Sequence, residues 1–560
     1  MKSTMGDDLP LTVTSILRHG ATWHGDREVV TAQDEQSASR VSYEEIAAGA
    51  AQLAHALRQL GVHGDDRVGT YLWNNREHLE AYLAVPSMGA VLHTANIRLF
   101  ADELVQTVTL AQDRVLLVDA DLLDTLIPAL GRMPSVRAII VRGQPAPQVD
   151  DLDGVRVYRY DELVRSQPGE FSWPELDERT AAAICFTSGT TGIPKGVAYS
   201  HRSIYLHSLS LCTANAVALS ANDRGMIVVP MFHANAWGYP HATFWCGGDL
   251  ILPHRFLKPD QLVPLMERER PTFVNGVPTI WIDVLRYLRE HPDADLSSIS
   301  RVVIGGSATP RSLMQAFRDE YDIPLIQGWG MTETSPLVTL ARPRRGRNGP
   351  EALEDSLSQG RILPGVELRL VHLENGSRVP HDGRSIGELE LRGPWISASY
   401  LSDGDPAKFH DGWLRTGDVG TVDPDGYVRL TDRAKDAVKS GGEWISSIGL
   451  EAEVAAHPQV IEAAVIGVPD ERWGERPCVV VTTTAGAAVT AEELRDWLDG
   501  RVARWWLPEH WVFAEAIPRT SVGKYNKRLL RTQYASGELA VTELGPRRPA
   551  ALRTETRRPG

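Results

Sequence analysis

The run Ile184-Cys-Phe-Thr-Ser-Gly-Thr-Thr-Gly-Ile-Pro-Lys-Gly-Val197 constrains this chain more than any other stretch. Apolar residues of strand character run into a loop of hydroxyls and glycines that ends at a single lysine, an arrangement suited to gripping phosphate at the end of a buried strand. Glycine lets backbone N–H groups approach an anion closely, the Thr187, Ser188, Thr190 and Thr191 hydroxyls are donors, and Lys195 adds positive charge. The loop is not a Walker A motif, which needs glycine directly before the lysine and Ser or Thr after it. Here Pro194 precedes Lys195 and Gly196 follows.

The 560-residue length exceeds what one core supports and predicts several domains with ample apolar content. Helical and strand patterns alternate from about residue 40. Tyr43 to Leu60 has helical apolar spacing, and strands are predicted at Val68–Leu72, Val115–Val118, Ala138–Val141, Met226–Val229, Leu250–Leu252 and Arg301–Ile304. This is an α/β chain of stacked layers with buried sheets. From about 361 to 431 short alternating segments such as Val366–Leu370 and Gly387–Arg392 predict a small β-rich subdomain closing an N-terminal region of residues 1–431. Residues 432–537 carry their own helix and strand pattern, as a small mobile α+β lid domain would, and 538–560 are expected to be a disordered tail.

The net charge of −14 is spread without a long acidic block, which disfavours nucleic-acid binding. Met1 to Pro10 lacks the apolar core of a signal peptide and no apolar run reaches the length of a membrane span, so a cytoplasmic protein is expected. Cys185, Cys212, Cys246 and Cys478 are isolated and have no zinc-ligand spacing.

A second candidate motif is Ile326-Gln-Gly-Trp-Gly-Met-Thr-Glu-Thr-Ser-Pro336. Trp329 is suited to stacking on a purine, Thr332 to a phosphate oxygen and Glu333 to Mg²⁺, a hard cation that prefers oxygen ligands. Just upstream, Gly305, Gly306 and Ser307 follow a strand and offer bare backbone to a flat base.

Together these motifs resemble the signatures of the adenylate-forming superfamily of acyl-CoA synthetases, peptide-synthetase adenylation domains and luciferases. The resemblance extends over roughly residues 20 to 535. It implies that Thr187, Ser188, Gly189, Thr190, Thr191, Gly192 and Lys195 hold ATP phosphates, and that Thr187 and Glu333 hold Mg²⁺. Gly305, Gly306, Ser307, Gln327, Gly328, Trp329, Gly330 and Thr332 would surround the nucleotide, with Asp418 and Arg433 at the ribose. It makes Lys435 the hinge, Ser440, Gly441 and Gly442 the CoA channel, and Lys524 the adenylation lysine. Lys439 and Trp444 match residues that contact the adenylate in fatty acyl-CoA synthetases.

Val229-Pro-Met-Phe-His-Ala-Asn-Ala-Trp237 is similar to the substrate gate of medium- and long-chain fatty acyl-CoA synthetases. That likeness implies an aromatic gate at Trp237, with His233 bordering the acyl and phosphate groups. Asn275 before Gly276 departs from a greasy tunnel, where relatives commonly carry Ala; its amide has either a polar substrate group or the backbone as partner. The implied reaction is ATP-dependent activation of a carboxylic acid as acyl-AMP and transfer to CoA, with Thr332, Glu333, His233 and Lys524 as its catalytic residues. A homodimer is a candidate assembly. The same motifs also fit relatives that activate nitrite for transfer to an aromatic amine. A non-enzymatic nucleotide-binding module would have lost Glu333 or Lys524, and both are present.

Overall fold

The computed structural model describes residues 1, 3–6, 8–144, 151–152, 154–187, 194–402, 405–433, 436–440, 443–484, 486–520 and 525–545. The chain divides into two compact units, one built on Met1–Leu430 and the other on Thr431–Arg519 with Tyr525–Gly560.

Two sheets form the first unit. In a 15-stranded sheet, Asp249–Leu252, Arg224–Met226, Phe273–Gly276, Arg301–Gly305 and Leu325–Gly330 lie side by side in parallel. Their side chains are buried on both faces, as the apolar runs require. One face packs on the helices Pro259–Glu269, Pro278–Glu290 and Arg311–Tyr321 through Val274, Val302, Ile304 and Trp281. The opposite face, with Phe273 and Val303, shares a core with the helices Tyr43–Gln59, Arg76–Ser87, His201–Cys212 and Tyr239–Cys246. Ser42 and Glu45 start the first of these helices with a reciprocal capping box. An eight-stranded sheet carries the parallel strands Ala181–Phe186, Val91–Thr94, Arg67–Tyr71, Asp113–Asp119 and Ala138–Arg142.

Two expectations need amendment. The strand predicted to Val229 ends at Met226, because side chains replace its ladder: Asn275 Oδ1 accepts from the Val228 and Val229 N–H groups at 2.9 Å each. Asn74 Nδ2 donates to the Ile227 and Val229 carbonyls at 2.8 and 2.9 Å. The β-rich stretch from 361 is hydrogen-bonded into the large sheet through Gly360–Ile362 rather than standing apart, since that strand pairs with both Leu337–Leu340 and Tyr427–Arg433.

The second unit has a six-stranded sheet centred on Gly474–Thr483. Val479 and Val481 face the helices Ser447–Ala455 and Ala491–Leu498, whereas Cys478 and Val480 face Lys527–Ala535, the two-residue alternation of a strand buried on both sides. The first part of 538–560, expected to be a disordered tail, is structured. Val541–Glu543 pairs with His510–Phe513, and Val541 and Leu544 pack on the two cores, so apolar burial holds this segment to a sheet edge that lacks another partner strand. Among the described residues no helix is long and apolar enough to cross a membrane.

Candidate active site

Ala181–Phe186 and Gly196–Ser200 form the antiparallel arms of the phosphate-loop candidate. The Thr187 N–H donates to the Lys195 carbonyl at 2.9 Å and closes its neck. Ser188, Gly189, Thr190, Thr191 and Gly192 lie outside the described residues. Lys195 Nζ pairs with Asp405 Oδ2 at 2.7 Å and lies 5.0 Å from the centre of the Tyr400 ring. The Tyr400 hydroxyl donates to Glu333 Oε1 at 2.6 Å, and Lys408 Nζ is 3.7 Å from the same oxygen. Burial and the Glu333 carboxylate push the Tyr400 phenol well up, so it stays a protonated donor. Sequence reasoning missed Tyr400, Asp405 and Lys408; no spacing marks them, because their role comes from a loop laid against Gly196, whose carbonyl accepts from the Leu401 N–H at 2.8 Å.

Glu333 sits in the short turn Thr332–Thr334 directly after the strand Leu325–Gly330. Its carbonyl accepts from the Ser397 N–H at 2.8 Å, and the Thr332 carbonyl accepts from the Tyr199 hydroxyl at 2.6 Å. Mg²⁺ is implied by the resemblance, and Glu333 fits it. Among the described residues no cluster of three or more His, Cys, Asp or Glu could form an all-protein metal cage. One buried carboxylate near hydroxyls suits an ion that takes the rest of its ligands from phosphate and water.

At the nucleotide end, Trp329 takes a different part from the expected purine platform. Only 8% exposed, it donates from Nε1 to Oδ2 of Asp418, itself 4% exposed, at 2.9 Å. The indole therefore positions the candidate ribose ligand. Gln327, expected at the nucleotide, is spent on backbone: Oε1 accepts from the Thr309 N–H at 2.8 Å and Nε2 donates to the Ser358 carbonyl at 3.0 Å. At Gly305 the absence of a side chain is set by the protein's own packing, since a Cβ there would come within 2.9 Å of the Gly328 carbonyl and 3.3 Å of Trp237 Cη2. Gly330 admits no side chain either, with the Pro336 carbonyl 1.8 Å from a Cβ position. Ser307 lies exposed beyond Gly306, whose φ is 86°.

The second unit holds the remaining expected residues. Lys435, Gly441, Gly442 and Lys524 lie outside the described residues, as do the side chains of Arg433 and Trp444. Lys439 is exposed, and its N–H donates to Glu475 at 3.0 Å. Ser440 is buried and its hydroxyl accepts from Arg476 at 3.1 Å, so it is bound to the protein rather than open to a ligand.

The gate candidate is anchored at its base. Asn74 Oδ1 accepts from the Met231 N–H at 2.8 Å, and the Tyr82 hydroxyl donates to the Met231 carbonyl. Half-buried His233 follows, and then Ala234, Asn235, Ala236, Trp237 and Gly238 take positive φ in succession, at 43°, 51°, 47°, 59° and 77°. Left-handed backbone costs roughly 1 kcal/mol for each non-glycine residue, so this turn persists only because packing imposes it. It buries Trp237 over Gly305. Asn275 lies on the same sheet face. Its oxygen serves the backbone as above, and among the described residues Nδ2 has no partner. Gly276 is sterically fixed, since a Cβ would fall 2.6 Å from Trp281 Nε1.

Four buried histidines of the surrounding helices are held neutral. Burial pushes His207 down to about 3, and His78, His201 and His241 down to about 4. His207 Nε2 accepts from the Leu337 N–H at 3.2 Å, which places its proton on Nδ1, beside Gly238. His241 stacks on Tyr82 at 5.2 Å.

A buried glutamate directly after a parallel strand, linked through Tyr400 to the lysine that closes a hydroxyl–glycine sequence, and an aspartate tethered by a tryptophan make up the candidate site of an α/β protein. The chain belongs to the AMP-binding enzyme family: its main domain matches residues 17–401, and the AMP-binding enzyme C-terminal domain matches residues 449–524. It is 42% identical over 529 residues to the 3-methylmercaptopropionyl-CoA ligase of Ruegeria lacuscaerulensis, covering 94% of this chain and 97% of the relative. It is also 42% identical over 540 residues to the long-chain-fatty-acid–CoA ligase of Thermus thermophilus, covering 95% and 97%. Among solved structures, the anthranilate CoA ligase in complex with anthranoyl-AMP superposes with a TM-score of 0.84 at 25% identity, covering 96% of this chain and all of that one.

Proposed function

We propose that this protein is an ATP-dependent acid:CoA ligase. One observation carries the reading: Tyr400 links the two charged motif residues, its hydroxyl on Glu333 and its ring beneath the Lys195 ammonium. A catalytic carboxylate and the phosphate-loop lysine thus share one scaffold.

In the first half-reaction the substrate carboxylate attacks the α-phosphorus of ATP. A carboxylate-oxygen-to-phosphorus bond forms, the bond to the β-phosphate oxygen breaks, and pyrophosphate leaves. Lys195 exchanges Asp405 for phosphate oxygens, the Thr187 neck orients the loop, and Asp418, held by Trp329, fixes the ribose. Glu333 would hold Mg²⁺, whose positive charge would offset the negative charge of the leaving pyrophosphate. Lys524 is assigned the charge developing between carboxylate and phosphate. In the second half-reaction the CoA thiol gives up its proton and attacks the acyl carbon, releasing AMP and leaving the thioester. We assign Lys435 as the pivot between the two steps. Trp237 closes the acyl end, and the amide and histidines around it favour a short, medium or aromatic acid over a long aliphatic chain.

The test is pyrophosphate release over a panel of alkanoic, methylthioalkanoic and aromatic acids, with and without CoA, plus nitrite with aminobenzoates. Acid-dependent release with thioester formed only when CoA is present is the expected result. Nitrite- and amine-dependent turnover without CoA would replace the reading. The curated relatives, which are CoA ligases by name, support the acid reading over the nitrite one.

A further inference from the structure

We propose that Asn275 is a specificity determinant, donating a hydrogen bond from Nδ2 to an acceptor oxygen on the acyl part of the acid. This rests on the acid:CoA ligase reading and narrows its substrate class to acids carrying a carbonyl, hydroxyl or ether oxygen.

The placement follows from strand geometry. Along Phe273–Gly276 side chains alternate, and Phe273 faces the core shared with the helix Tyr239–Cys246, touching the Tyr239 ring at 4.9 Å. Asn275, two residues on, points to the same side, opposite Val303 in the ladder. Gly305, two residues beyond Val303, also presents that side, and Trp237 rests on it. Asn275 therefore sits diagonally across from the floor beneath the gate, within the reach of an acyl chain that Trp237 covers.

The chemistry follows from the amide's satisfaction. Both interactions of Oδ1 are with backbone N–H groups that the interrupted strand leaves open, which fixes the amide so that nitrogen is the outward end. The residue is 0% exposed, and among the described residues Nδ2 has no partner. A buried amide N–H is desolvated without compensation until an acceptor reaches it. A donor without a fixed acceptor selects against plain hydrocarbon and for an oxygen-bearing substrate, because a site built to hydrogen-bond a substrate group discriminates against analogues that lack it.

The experiment compares kcat/KM for matched acids on the full-length enzyme: heptanoate against 4-, 5- and 6-oxoheptanoate, and benzoate against 3-hydroxybenzoate. At least one oxygen-bearing acid should exceed its parent by about tenfold, and Asn275→Asp should bring that ratio near one. Aspartate still accepts from Val228 and Val229 but offers no N–H, so the ratio isolates the donor. The proposal is overturned if no oxygen-bearing acid exceeds its parent in the wild type, or if the preference survives in a folded Asn275→Asp enzyme. Should that variant not fold, the wild-type ratios decide. Turnover of parent acids without preference rejects Asn275 as determinant and leaves the ligase reading standing; inertness toward every acid rejects the ligase reading itself.

Discussion

Replacing Trp329 with phenylalanine keeps an aromatic ring in the core and deletes one donor, the N–H that reaches Asp418 Oδ2 at 2.9 Å. Both residues are more than nine-tenths buried, so water has little access to substitute for the lost bond. A hydrogen bond to a charged acceptor is worth about 1.5 to 3 kcal/mol. At about 1.4 kcal/mol per factor of ten, losing it costs roughly 10- to 150-fold in the productive binding of whatever Asp418 holds. If that is the ribose, kcat/KM for ATP falls by this factor, measured as acid-dependent pyrophosphate release at varied ATP and saturating acid. Asp418→Asn should fall at least as far, and the double variant should fall by less than the product of the two single effects, since both break one contact. A kcat/KM for ATP within twofold of wild type for Trp329→Phe would refute the tether, and additive effects would refute the shared contact.

Acid should destabilise the fold. His78, His201 and His241 sit at about 4 and His207 at about 3, below the ordinary 6.5, so the unfolded chain binds protons first and stability drops from pH 6.5 downward, levelling near pH 4. Each contributes about 2 kcal/mol of loss by pH 5. Asp119, which burial pushes up to about 7, acts in the opposite sense and offsets roughly one histidine, leaving a net loss of several kcal/mol. Denaturant midpoints at pH 8, 6 and 5 check this, and a flat profile would contradict it. Lys524→Ala should lower adenylation by roughly 10²- to 10³-fold while sparing thioester formation from supplied acyl-adenylate; equal damage to both steps would count against its assignment. Trp237→Ala should change the chain-length profile with ATP KM largely intact, and an unchanged profile would remove the gate assignment.

Local chemistry was the legible part of this chain. Helical apolar spacing from Tyr43 marks Tyr43–Gln59, and the apolar runs mark strands such as Asp113–Asp119 and Ala138–Arg142 because burial on both faces demands them. The loop from Thr187 and the turn bearing Glu333 stood out as candidates because their residue types suit phosphate and metal. Partners distant in sequence could not be read. Nothing near Trp329 announces Asp418, which meets it 89 residues away, and nothing near Lys195 announces Asp405, 210 residues on. Gln327 looked like a ligand for the same reason: its two backbone partners come from other segments, and only the assembled fold shows that its amide is already occupied. Asn275 was ambiguous from sequence, and the fold resolves half of it by giving its oxygen to the backbone.

The left-handed turn from Ala234 to Gly238 bears on how such an enzyme changes its substrate. At φ values of 43° and 47°, Ala234 and Ala236 leave no room for a β-branched residue, and Gly238 stands where a Cβ would meet His207 Nδ1 at 2.6 Å. Drift at 234, 236 and 238 is therefore confined to small residues, whereas the ring at 237 is held by its backbone but projects away from it. A library built on this scaffold should randomise 237, leave 234, 236 and 238 alone, and keep at 275 a side-chain oxygen for the Val228 and Val229 N–H groups. Selectivity can then change without disturbing the main-chain path on which catalysis depends.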